Sequence, residues 1–171
     1  MIIYLIGMMG SGKSSIGKSL AKSLGFEFMD TDQEIETKAH KSVSQIFSED
    51  GETIFRNMEK KLLLEFTHQS DLVMATGGGL PCFNKNMDFM NKTGISVYLE
   101  ADPAFLASRL KSNKKDRPLI SSLSDSELVS YLDQLLMKRK DFYNQAHIKI
   151  ESKNLKTANL LTVINQYIIK K

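Results

Sequence analysis

Residues 1–25, MIIYLIGMMGSGKSSIGKSLAKSLG, decide how the rest of the chain is read. Within them, Gly7-Met8-Met9-Gly10-Ser11-Gly12-Lys13-Ser14 matches G-x-x-x-x-G-K-[ST], the phosphate-binding P-loop pattern. The glycines let the backbone turn tightly, so several N–H groups can face one phosphate chain. Lys13 can then reach the β- and γ-phosphates, and the Ser14 hydroxyl can ligate Mg²⁺. The flanks supply the context the pattern needs. Met1–Ile6 is an apolar run suited to a buried parallel strand, and Ile16, Leu20 and Leu24 recur at helical spacing up to Gly25. A strand, a glycine loop and a helix N-terminus together form an anion site.

The whole chain has 171 residues, enough for one domain with a real core, and its hydrophobic and charged fractions are those of a soluble globular protein. A net charge of +3, no Trp and few, scattered aromatics leave nothing resembling a nucleic-acid stacking platform, so no nucleic-acid partner is expected. The single Cys82 excludes an intrachain disulfide and points to a reducing compartment. The first residues enter the P-loop strand directly, so no export signal is expected before it. No apolar run approaches the roughly 18 residues of a membrane span. A cytoplasmic protein without a membrane partner is therefore expected. The histidines His40, His68 and His147 show no metal-ligand spacing.

After Gly25 a short strand, Phe26–Met29, runs into Asp30-Thr31-Asp32. Two carboxylates at a strand's C-terminal end, one β–α unit after the P-loop, lie where open α/β sheets bind ligands. Asp30 can orient a Mg²⁺-bound water near Ser14, while Asp32 faces an acceptor hydroxyl as base or positioner. The plainer alternative makes Asp32 the N-cap of a helix over Gln33–Ala39. Ser42-Val43-Ser44-Gln45 is a capping box, and a longer helix starts near Thr53. On it Arg56 and Glu59 stand at i, i+3, a spacing that equally fits a solvated ion pair. Leu72–Ala75 is another buried-strand candidate, running into Thr76-Gly77-Gly78-Gly79, where glycines allow a ligand close to the backbone. This strand lacks a terminal Asp, which raises the value of Asp30 on the metal side.

A helix is expected over Asn84–Asn91, a strand over Ile95–Leu99, and a helix from Asp102-Pro103 through Arg109. Residues 111–122 are polar and basic, the composition of a lid closing over a nucleotide. Asn113-Lys114-Lys115-Asp116 imitates the N-K-x-D by which GTPases read guanine, but it follows a helix rather than a buried strand, so the match carries no weight. A second capping box, Ser124-Asp125-Ser126-Glu127, opens a long helix with Arg139 and Tyr143 near its end. A short strand at Ile148–Ile150 and an amphipathic helix over Thr157–Ile169 close the chain. Strands alternating with helices imply an α/β fold with a parallel sheet covered on both faces.

The ordered set Gly7–Ser14, Asp30-Thr31-Asp32, Phe55-Arg56-Asn57-Met58-Glu59, Gly77–Gly79, Arg117-Pro118-Leu119 and Arg139-Lys140-Asp141-Phe142-Tyr143 resembles the shikimate kinase family over nearly the full chain. The resemblance implies a three-layer α/β/α P-loop kinase of the nucleoside-monophosphate-kinase type, with a five-stranded parallel sheet in the order 2-3-1-4-5. It implies one domain over residues 1–171, a substrate-binding subdomain over about 32–61 and a lid over about 111–122. The activity implied is phosphorylation of the shikimate 3-hydroxyl by ATP with one Mg²⁺, in aromatic amino acid biosynthesis, by a monomer. Gly10, Ser11, Gly12, Lys13, Ser14 and Ser15 would cradle ATP, with Arg109 beside adenine and Arg117 reaching the phosphates from the lid. Lys13, Asp32 and Arg117 would be catalytic, and Ser14 and Asp30 would face the metal. Asp32, Arg56, Gly77, Gly78, Gly79 and Arg139 would hold shikimate, Glu59 would orient Arg56, and Phe47 and Phe55 would line the ring. The stretch Glu151–Leu155 does not align with the family's adenine-covering loop, so no adenine contact is assigned there. Residue chemistry alone stops at a small anionic acceptor gripped by two arginines. On that ground a gluconate or nucleotide kinase, or a nucleotide-binding switch without turnover, stays open.

Overall fold

A computed structural model describes residues 1–67, 69–111 and 118–170. The strands are β1 (Ile2–Ile6), β2 (Glu27–Asp30), β3 (Leu72–Ala75), β4 (Ile95–Glu100) and β5 (Ile148–Glu151). They form one sheet in the order β2-β3-β1-β4-β5, and each pairing is parallel. The helices are α1 (Lys13–Leu24), α2 (Thr31–Ala39), α3 (Val43–Gln45), α4 (Glu52–Glu65), α5 (Asn86–Thr93), α6 (Pro103–Leu110), α7 (Pro118–Ser121), α8 (Asp125–Tyr143) and α9 (Thr157–Ile169). No described helix is long and apolar enough to cross a membrane.

The apolar run of β1 is buried throughout because both faces of the sheet are covered. Side chains alternate along a strand. Ile2, Tyr4 and Ile6 therefore face one layer, with Leu106, Leu128, Leu132 and Tyr143 packed over them. Ile3 and Leu5 face the other, under Leu20 and Ala21 of α1 and Leu160 and Ile164 of α9. A smaller separate cluster joins Ile35, Ile46, Phe55 and Leu62, tying α2 and α4 together beyond the sheet edge.

The chain reaches β2 from β1 by skipping a position, returns to fill it with β3, then crosses to β4 on the far side of β1. The C-terminal ends of β1, β2 and β3 are thus neighbours at a topological switch point, where open α/β sheets bind ligands. Both capping boxes form, at Ser42 with Gln45 and at Ser124 with Glu127. The expected strands shift or extend by one residue, to β2 (Glu27–Asp30), β4 (Ile95–Glu100) and β5 (Ile148–Glu151), and two expected helix starts move. Helix α2 starts at Thr31, and its N-cap is Asp30 rather than Asp32. Helix α5 starts at Asn86 rather than Asn84, because Asn84 and Lys85 adopt left-handed backbone (φ 54° and 58°), which no helix can contain.

Candidate active site

Gly10 and Gly12 take φ values of 82° and 93°, the left-handed turns a side chain resists, and wrap the P-loop into the N-terminus of α1. Lys13 is buried, and its Nζ donates to the carbonyls of Gly7 and Met8, each at 2.8 Å. The ammonium is therefore fixed at the mouth of the loop. Ser14 donates its hydroxyl to Asp30 Oδ2 at 2.5 Å, while Asp30 Oδ1 accepts the Asp32 N–H at 3.1 Å. One carboxylate thus caps α2 and faces the P-loop serine. Among the described residues no group of three His, Cys, Asp or Glu could hold a metal alone. A hydroxyl and a carboxylate at the phosphate end suit Mg²⁺, which keeps waters and phosphate oxygens as its remaining ligands.

On the outer side of the loop lies a cavity of about 370 Å³, lined by Ser11, Gly12, Ser15, Arg109, Ser152 and Leu155 among others. Arg109 lies against Gly12, whose Cβ, if present, would be 3.5 Å from Nη1. The hydroxyls of Ser11 and Ser152 are buried here with no hydrogen-bond partner among the described residues. Such groups are costly unless a ligand or water satisfies them.

On the inner side, three glycines after β3 form a floor without side chains. A Cβ at Gly77 would fall 2.5 Å from Asp32 Oδ1 and 3.1 Å from Glu59 Oε1. At Gly78 it would meet Arg139 Nη1 at 3.0 Å, and at Gly79 Arg56 Nη1 at 2.6 Å. Two carboxylates and two guanidinium groups, from α2, α4 and α8, therefore converge on this floor. The Gly77 N–H donates to buried Thr31 Oγ1 at 2.8 Å, and buried Tyr143 donates its hydroxyl to the Gly78 carbonyl at 2.6 Å. The floor also touches the P-loop, since a Cβ at Gly78 would be 3.4 Å from the Gly7 carbonyl.

Arg56 is held in its own plane. Nε and Nη2 donate to Glu52 Oε1 at 3.1 and 2.9 Å, and Nη1 donates to Glu59 Oε2 at 2.8 Å. Of its five N–H groups, these contacts leave one on each terminal nitrogen among the described residues. Glu59 is fully buried, so the pair is not the solvated one its spacing allows. Burial pushes the Glu59 carboxyl up to about 7 against the pull of Arg56; Asp32 adds to the push and Arg139 opposes it. Burial likewise pushes the Cys82 thiol up to about 11, leaving it an unreactive neutral group beside the arginines.

The shikimate kinase family model matches residues 9–169. The chain belongs to the shikimate kinase family. A shikimate kinase of Bacteroides fragilis is 46% identical over 145 residues, covering 85% of this chain and 81% of that relative. Among solved structures, a shikimate kinase from Bacteroides thetaiotaomicron matches with a TM-score of 0.93 at 38% identity, over 96% of this chain and 98% of that one. A shikimate kinase from Acinetobacter baumannii, solved in complex with shikimate, matches with a TM-score of 0.87 at 37% identity, over 99% of this chain and 93% of that one. As a member of a kinase family the chain is a phosphotransferase with ATP as phosphoryl donor.

Against that family frame, the structure brings Asp32, Arg56, Glu59 and Arg139 together over Gly77–Gly79, and Ser14 together with Asp30. Phe47 and Phe55 pack on each other at 4.8 Å and flank Arg56. Arg117 and the rest of residues 112–117 of the expected lid lie outside the described residues. Sequence alone assigns no role to Thr31 or Tyr143, although D-T-D and R-x-x-x-Y contain them. Nor does sequence alone assign a contact to the stretch after β5, whereas Ser152, Leu155, Lys156 and Thr157 line the outer cavity.

Proposed function

We propose that this chain phosphorylates the 3-hydroxyl of shikimate with ATP, releasing ADP and shikimate 3-phosphate. The observation that carries the reading is the glycine floor: an acceptor site with two cations and two carboxylates, directly against a P-loop. Shikimate carries one carboxylate and several hydroxyls. Arg56 and Arg139 suit the carboxylate because a guanidinium presents parallel donors to two oxygens. Asp32 suits the hydroxyls. The outer cavity beside Ser11, Arg109 and Ser152 takes the nucleoside of ATP, with its phosphates lying along Gly10–Ser15.

In the transfer, the acceptor oxygen forms a bond to the γ-phosphorus while the bond to the β,γ-bridging oxygen breaks, and ADP carries that electron pair away. The transition state is loose, so positioning and charge do most of the work. Asp32 accepts the hydrogen bond of the attacking hydroxyl and aims its oxygen in line, then takes its proton. Lys13 neutralises the phosphate oxygens from the loop mouth. Ser14 and Asp30 would hold Mg²⁺, which when bound neutralises charge on the β- and γ-phosphates. Arg117 adds positive charge from the lid over residues 111–122, and residues 32–61 form the acceptor-binding subdomain. The active unit in this reading is a monomer acting in the cytoplasm.

The test is an ADP-release assay with shikimate, gluconate and nucleoside monophosphates, followed by phosphorus NMR of the product. Release driven by shikimate alone, with phosphate on the 3-oxygen, is expected. ADP release indifferent to shikimate would overturn the assignment.

A further inference from the structure

The contacts of Arg56 described so far lie in the plane of its guanidinium. Its remaining surroundings come from a different part of the chain, the turn between Gly79 and α5. The Phe83 ring centroid lies 4.3 Å from the Arg56 Cζ, closer than the rings of Phe47 (5.5 Å) and Phe55 (5.3 Å). Phe83 is 39% exposed, whereas the arginine side chain beneath it is only 11% exposed. The next residue contacts the same arginine by another route, since Asn84 Nδ2 donates to the Arg56 carbonyl at 3.0 Å. The turn is shaped for this. Asn84 and Lys85 are left-handed in succession, the Asn86 N–H donates to the Phe83 carbonyl at 2.9 Å, and buried Asn86 ties its side chain to the Leu80 carbonyl at 2.9 Å. Two successive non-glycine residues at positive φ are costly and persist only where their surroundings impose them.

We propose that Phe83 and Asn84 are positioning residues for Arg56, presetting its guanidinium for the acceptor's carboxylate. The proposal rests on the reading of Arg56 as a carboxylate holder. Stacking on an aromatic face suits a planar guanidinium and excludes water from it without using any N–H. The two carboxylates fix the cation in its plane, and the ring limits movement out of it. An arginine fixed before binding loses little rotamer freedom when the acceptor arrives. The effect therefore appears in acceptor affinity and leaves nucleotide binding alone.

The experiment is calorimetric titration with shikimate plus steady-state kinetics on F83L, F83Y, N84G and R56A. F83L keeps apolar bulk and removes the π face. It should weaken shikimate affinity roughly 3- to 30-fold, the range of an exposed to a desolvated cation–π contact. KM for ATP and kcat at saturation should hold, the signature of lost uniform binding. F83Y should restore affinity to near wild type. N84G keeps the left-handed backbone available while deleting the amide, and should show the same split in weaker form. Unchanged shikimate affinity in F83L, equal losses in F83L and F83Y, or an equal rise in the KM for ATP would overturn the proposal. If R56A loses affinity while F83L does not, the positioning role alone fails. If R56A binds shikimate normally, the reading of Arg56 fails with it.

Discussion

Arg139 reaches the glycine floor from α8, while Arg56 reaches it from α4, and in the proposed complex the two would hold the acceptor's carboxylate between them. Truncating either leaves a carboxylate without its charged hydrogen bonds, a loss of about 1.5–3 kcal/mol. Arg139→Ala and Arg56→Ala should therefore each weaken shikimate binding roughly 10- to 150-fold in calorimetric titration and leave ATP binding near wild type. In the same reading Lys13 would work on the other substrate. With its ammonium fixed on the Gly7 and Met8 carbonyls, it would meet charge that develops on the phosphate oxygens during the proposed transfer. Lys13→Met should abolish turnover with circular dichroism unchanged; a folded, active mutant would remove Lys13 from the chemistry. These two kinds of residue differ in how visible they are in sequence. Lys13 is legible because its whole environment is eight consecutive residues. Arg56 is not, because Gly79, Phe83 and Phe47 bury it from elsewhere, and an Arg and a Glu at i, i+3 read the same whether wet or dry.

Elements with sequence-local signals are equally legible. The two capping boxes fix the starts of α3 and α8 because a serine and the residue three positions on satisfy each other's backbone donors. The start of α5 is displaced because the left-handed pair at Asn84 and Lys85 belongs to a turn whose purpose lies across the site, at Arg56. The outer cavity escapes sequence reasoning for the same reason. Its wall exists only where the turn after β5 meets α1 and α6, and no periodicity within residues 151–157 encodes that meeting. The proposed lid over residues 111–122 rests on sequence. From sequence, the proline that follows Arg117 is expected to favour extended backbone at Arg117. A lid that closes only on bound nucleotide would bring this arginine to the phosphates during transfer. In that role its charge is worth about 10³–10⁵ in rate, as for arginines supplied to other phosphoryl transfers. Arg117→Ala should thus lower kcat steeply with little change in shikimate affinity. If steady-state kinetics instead show KM for ATP rising at constant kcat, Arg117 only binds nucleotide.

The whole molecule sets one further property, because the sheet order that gathers three loops at one edge also buries a carboxylate there. Glu59 is sealed between α4, the glycine floor and Asp32, with its Oε1 unpartnered among the described residues. Its ordinary value of 4.5 is pushed up to about 7 in the fold. The folded state therefore holds a proton at Glu59 that the unfolded chain has already released between those two values. Stability falls with rising pH wherever the native state binds more protons. The contribution is fully present below about 4.5, is lost as pH rises through about 7, and stays constant above. A shift of that size corresponds to on the order of 3 kcal/mol. Glu59→Gln keeps the shape and removes the titration. Denaturant unfolding of both proteins at pH 5 and pH 8 should show the wild type losing stability relative to the mutant by that order. The same proton links to the substrate. An anionic acceptor placed on Arg56 disfavours the charged form of Glu59 further, so shikimate binding near pH 7 should take up a fraction of a proton. Calorimetry in buffers of different ionisation enthalpy measures this uptake directly, and Glu59→Gln should abolish it. Parallel stability curves for the two proteins, together with no proton uptake in the wild type, would mean that Glu59 stays ionised throughout and that Arg56 outweighs burial.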